Sequence, residues 1–111
     1  MCFTVELGNI AKLSKGNYMA RFIIRVLLHD ATREHYEQLE QELAVKHITD
    51  VIVGGDGVAY RMPPAEYQCH GDLTAADVRS ICVTAASTTG RKHAVLVSQY
   101  DNAAWIGLTK A

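Results

Sequence analysis

The stretch that most constrains this chain is Arg21–Asp30, Arg-Phe-Ile-Ile-Arg-Val-Leu-Leu-His-Asp, the longest β-type run in the sequence. In an extended chain alternate residues point to opposite faces. Phe22, Ile24, Val26 and Leu28 therefore share one face, and Arg21, Ile23, Arg25, Leu27 and His29 share the other. A strand that is apolar on one face and mixed on the other belongs in the middle of a sheet whose helices cover only the first face. Its end delivers an imidazole and a carboxylate, His29 and Asp30, to the rim of that sheet.

The rest of the chain supplies partners for such a strand. Thr32 offers a helix N-cap, Glu34 suits the positive end of the helix, and Tyr36, Leu39 and Leu43 recur at helical spacing up to Lys46-His47. Ile48–Val53 and Val58–Met62 read as a hairpin around Gly54-Gly55-Asp56-Gly57. Pro63-Pro64 interrupts it, and Ala65–Cys69 is expected to continue the strand beyond a bulge. A second helix opens at Thr74 with a box-like Asp77, buries Val78, Ile81, Cys82 and Ala85, and stops at Gly90. Strands at Lys92–Gln99 and Trp105–Thr109 close the chain. With right-handed crossovers the order β-α-β-β-α-β plus a terminal strand gives an α+β fold, the ferredoxin-like plait. Its antiparallel sheet carries both helices on one face, with the first and third strands central. The bare face would hold Ile23, Arg25 and Leu27, too apolar to stay wet, so a homodimer is expected, face to face or edge to edge.

Residues 1–18 do not share this patterning. They contain a strand-like Phe3–Leu7 and then polar residues and glycines without a period. Lys15-Gly16 can be encoded by purine-rich triplets of the ribosome-binding kind just upstream of Met19. Two expectations follow for residues 1–18: an over-extended reading of a gene that starts at Met19, or a flexible extension. Residues 19–111 form the one folded domain, a size that supports a single core.

Composition narrows the function classes. An apolar fraction of 49% with 21% charged residues is that of an ordinary globular domain. A formal charge of −1 lacks the basic footprint of a dedicated nucleic-acid binder, and no DNA-reading motif is present. No apolar run approaches a membrane span or a signal peptide, so the expected location is the cytoplasm. Cys2, Cys69 and Cys82 have no metal or redox spacing and are expected to be reduced and structural.

Candidate sites compete with local explanations. Asp30 could bind a divalent cation or orient water with His29 as acid or base, or it could simply precede a helix. Gly54–Gly57 lacks the Lys-Ser/Thr of a phosphate loop and reads as a turn. His29, His35, His47, His70 and His93 show no metal spacing. Ser14, Ser80, Ser87 and Ser98 lie in no nucleophile elbow. Tyr60, Tyr67, Tyr100 and Trp105 are expected in packing, since no RNA-stacking signature accompanies them. Arg21, Arg25, Arg33, Arg61, Arg91 and Lys92 form either a modest basic surface or scattered solubilising charge.

The segment Met-Ala-Arg-Phe-Ile-Ile-Arg-Val-Leu-Leu-His-Asp-Ala-Thr from Met19, with Tyr36, Leu39, Asp56-Gly57, Tyr60, Pro63, Ala65-Glu66-Tyr67, Val95-Leu96-Val97 and Trp105, resembles small bacterial and prophage proteins. These are grouped with the GhoS antitoxins of type V toxin–antitoxin systems. The resemblance implies a ferredoxin-like fold similar to the small CRISPR-adaptation nuclease subunits, and endoribonuclease action on a toxin's messenger RNA. It also implies an aspartate at the tip of the first strand, the position of Asp30, associated with metal-dependent phosphodiester cleavage. On this reading Asp30 positions Mg²⁺ or water and His29 assists proton transfer. Arg25 or Arg33 holds phosphate, and Arg21 and Arg61 add RNA contacts. The alternative is a non-catalytic homodimeric interaction module of phage or prophage origin.

Overall fold

A computed structural model describes residues 19–111; the expectations for residues 1–18, including Cys2, lie outside the described residues. The chain forms β1 (Ala20–Leu28), α1 (Arg33–Val45), β2 (Val51–Val53), β3 (Ala59–Arg61), β4 (Glu66–Gly71), α2 (Ala75–Ser87) and β5 (His93–Tyr100). β1 is central, antiparallel to β4 on one side and β5 on the other. Thr49, just before β2, bridges to Gln68 of β4. The sheet thus runs β5–β1–β4 and on to the β2 segment, with both helices on one face. This is the ferredoxin-like α+β arrangement.

The alternation in β1 acts as its chemistry requires. Phe22, Ile24 and Val26 are fully buried beneath the helices, with Leu28 almost so. They meet Leu39 and Leu43 of α1, Val78, Cys82, Ala85 and Ala86 of α2, and Tyr67 and Cys69 of β4 in one core. Each such large apolar side chain contributes about 1.5–3 kcal/mol by leaving water. Both helix starts are capped. The Thr32 amide donates to His35 Nδ1 at 2.9 Å, a histidine filling the place usually held by glutamate. The Thr74 amide donates to Asp77 Oδ2 at 2.9 Å, while the Asp77 amide donates to Thr74 Oγ1 at 3.1 Å. Past α2, Gly90 takes φ +73° and reverses the chain towards β5.

The proline interruption does more than bulge a strand. Ala65 adopts φ +65° after Pro63-Pro64, and Glu66–Gly71 leaves the β2–β3 hairpin to become a strand of the main sheet. The closing strand is also shorter and later than the sequence suggested. Residues 105–109 form no strand; instead Lys110 bridges to Tyr60. The Arg61 amide donates to the Thr109 carbonyl at 2.8 Å, and the Ala111 amide to Ala59 at 3.0 Å. Gly107 at φ +84° breaks the intended run.

This C-terminal segment folds back over part of the bare face. Trp105, Ile106 and Leu108 line a cleft of about 260 Å³ with Ile23, Ile52 and Met62. Ile23 is thereby half-covered. Further along the same face Leu27 and Leu96 stay exposed, at 41% and 65%.

Candidate functional site

The backbone at the tip of β1 is held by four residues, Ala65, Tyr36, Lys92 and Arg91. The Val26 amide donates to the Ala65 carbonyl at 3.0 Å, and there β4 runs out. Tyr36 of α1 takes over: its hydroxyl accepts from the Leu28 amide at 2.9 Å and donates to the Leu28 carbonyl at 3.4 Å. A side chain thus completes the ladder that the prolines leave unfinished, as a buried amide requires. On the other side the His29 amide donates to the Lys92 carbonyl at 2.8 Å, and Arg91 Nε donates to the His29 carbonyl at 3.2 Å.

Asp30 follows with φ +50°, a left-handed conformation that aspartate tolerates better than most residues. It is exposed, and its carboxylate makes no side-chain hydrogen bond or ion pair among the described residues. The Asp30 carboxylate therefore does not serve as the α1 cap, which Thr32 and His35 provide. Glu34, in the first turn, has its carboxyl held below the usual range by hydrogen bonds from its own backbone and then from Thr32. The rim so formed carries Asp30, exposed His29, Glu34, and the cations Arg33 and Arg91.

The other expected RNA contacts lie elsewhere and are engaged. Arg21 is nine residues back along β1, about 30 Å from Asp30 at strand rise. It stacks over the Tyr100 ring at 4.9 Å and donates to the Asp101 carbonyl. Arg25, roughly 16 Å from Asp30 by the same measure, pairs with Glu66 at 3.4 Å. Arg61 pairs with Asp50 at 2.8 Å on the hairpin. Arg33 reaches the rim but pairs with Glu37 at 3.2 Å, an exposed i,i+4 contact that a stronger anion can displace. The structure places His29 and Asp30 in the turn between β1 and α1, with Arg33 the first residue of α1. It does not bring Arg21, Arg25 or Arg61 to them. Arg91 is a rim cation that sequence reading could place only on a diffuse basic surface, because 62 residues separate it from His29.

Among the described residues no three His, Cys, Asp or Glu side chains group so as to hold a metal ion. At the rim, the Asp30 carboxylate has no side-chain partner among the described residues. A single carboxylate could contribute one ligand to a hydrated cation such as Mg²⁺ and could not by itself form a cage.

The glycine loop is a turn. Asp56 Oδ1 accepts from the Val58 amide at 2.9 Å and Oδ2 from the Tyr60 hydroxyl at 3.3 Å. Burial and the Asp56 charge push the Tyr60 hydroxyl above its ordinary range. Tyr60 meets Trp105 edge to face at 5.7 Å, as packing was expected to use both. A Cβ on Gly54 would stand 2.9 Å from Asp56 Oδ1 and 3.3 Å from the Trp105 ring, so a larger residue there would have to displace the Asp56 side chain. The hollow beside it, about 310 Å³, is lined by Asp56 with Gly54, Tyr60 and Trp105 and has no cation in its lining. The remaining histidines are scattered, and Cys69 and Cys82 are buried in the core.

Compared with known proteins, the chain matches no family model and no curated protein sequence. Among the described residues no helix is long and apolar enough to cross a membrane.

Proposed function

We propose that this chain is a cytoplasmic, RNA-directed antitoxin of the GhoS-like kind, cutting a toxin messenger RNA at the tip of β1. The observation that carries the reading is Asp30: an exposed carboxylate, without a side-chain partner among the described residues, in a left-handed conformation directly after Leu28 and His29, whose backbone is tied to Tyr36, Lys92 and Arg91. An exposed acid in the turn directly after a central strand, with no side-chain partner among the described residues, is a place where a positioned general base can act. Asp30 would take the proton from the attacking oxygen, and His29 would return one to the leaving oxygen. Arg33 and Arg91 would hold the phosphate. In the metal-dependent alternative Asp30 would instead hold a Mg²⁺ ion arriving with the RNA, whose charge would offset that of the phosphate, and would not serve as the base.

A non-catalytic, homodimeric interaction module is the second reading. It is favoured by Arg25, Arg33 and Arg61, which spend their charge on Glu66, Glu37 and Asp50.

The test incubates the purified protein with RNA, with and without Mg²⁺, beside Asp30→Ala and Asp30→Asn. Asparagine keeps the left-handed backbone and removes only the charge. Cleavage by the native chain and a loss of about 100-fold or more in both variants is expected. Cleavage unchanged in Asp30→Asn removes that residue's role. No cleavage and no salt-dependent binding favours the module.

A further inference from the structure

β5 is a sheet edge without the usual protection. Among the described residues nothing pairs with its outer side. Its eight residues, His-Ala-Val-Leu-Val-Ser-Gln-Tyr, contain no proline, lysine, arginine or acid, the devices that normally keep long edges apart.

The phase of its hydrogen bonds is readable. The Lys92 carbonyl points at β1, where it accepts from His29. Along a strand the N–H and C=O groups of alternate residues point the same way. Ala94, Leu96, Ser98 and Tyr100 therefore face β1, and His93, Val95, Val97 and Gln99 turn their backbone groups outward. From this edge we infer that two copies of the chain pair β5 against β5, antiparallel, about a two-fold axis through Leu96.

Only that register uses every outward group. His93 meets Gln99 of the second copy and Val95 meets Val97, giving about eight interchain hydrogen bonds. Moving the axis to Val95 or Val97 leaves some unmade. The same register sets Arg91 against Asp101 of the other copy at both ends, so the charges flanking the strand are complementary to themselves. Apolar surface lies on both sides of the seam. On the bare face, Leu96, 65% exposed, meets its own copy. In the helix layer, α2 turns Ser80, Ile81 and Thr84 towards α1, so its opposite flank carries Val83, 38% exposed, out past β5. A second copy satisfies backbone, charge and apolar surface together. The inference shares Arg91 with the proposed phosphate contact, but its test reads association and crosslinking in the absence of RNA, so either can fail alone.

Sedimentation of the full chain over a range of concentrations should give twice the 12.2 kDa of one chain at the high end. Leu96→Lys sets two ammonium groups against each other on the axis without touching the core. It should weaken self-association on the order of a hundredfold and leave the circular dichroism unchanged. Register is read separately, with Cys2→Ser as background. Two Leu96→Cys residues would sit about 4.5 Å apart at Cα, within disulfide reach, and should crosslink on oxidation. Ala94→Cys, offset from its own copy by four residues, should not. A monomer at every concentration overturns the inference. So does a dimer indifferent to Leu96→Lys that fails to crosslink through Leu96→Cys.

Discussion

Asp30 and Tyr67 show how differently two polar side chains can be used at the ends of neighbouring strands. Asp30 is exposed and has no side-chain partner among the described residues, whereas Tyr67 is almost fully buried in the core and sends its hydroxyl to Glu40 Oε2 at 3.0 Å. Burial first, and then the Glu40 charge, raises the Tyr67 hydroxyl far above the ordinary tyrosine value. A group whose folded pKa is raised contributes stability that is intact below its unfolded pKa, about 10, and is lost as pH rises towards the folded value. Tyr67→Phe should therefore cost about 1 kcal/mol at neutral pH through the lost hydrogen bond. It should also flatten the alkaline fall in stability above pH about 10. Denaturant titrations across that range check both; a variant with the native chain's alkaline slope contradicts the assignment. Such long-range pairings were not legible in the sequence. Tyr36 was read as one apolar position of a helix stripe, yet its hydroxyl finishes the β1 ladder. The partners of Arg25 and Arg61 emerge only once the strands are in register.

Secondary elements were more legible where local chemistry alone decides them. The β1 alternation, the Thr32 and Thr74 starts and the Gly90 stop all stand as read, because spacing and capping act over a few residues. Thr74→Ala, which removes one half of the reciprocal box with Asp77, should lower unfolding stability by about 1 kcal/mol and fray the first turn of α2. Amide exchange at Asp77 and Val78 reports the fraying; protection equal to the native chain would show that packing alone holds the turn. Where tertiary contacts compete, local reading fell short. Pro63-Pro64 signalled an interruption but could not say that the following strand joins β1. The closing strand moved from 105–109 to the last residues because Trp105 is drawn onto Tyr60 and Gly107 breaks the run.

For the molecule as a whole, the central placement of β1 is the decisive feature, and the alternation of that strand was enough to foresee it. The bare sheet face was expected to need a partner. The chain's own C-terminal segment covers the Ile23 end, while Leu27 and Leu96 remain uncovered towards β5. That leaves the tip of β1 open on a rigid frame, with Asp30, His29, Arg33 and Arg91 around it. The direct test of this account is a titration of isotope-labelled protein with single-stranded RNA, followed through its backbone amide resonances. Shifts should concentrate at His29–Arg33 and Arg91–His93 and fade as salt rises. Shifts confined to the Tyr60–Trp105 side, or none at any RNA concentration, would contradict a working site at the strand tip.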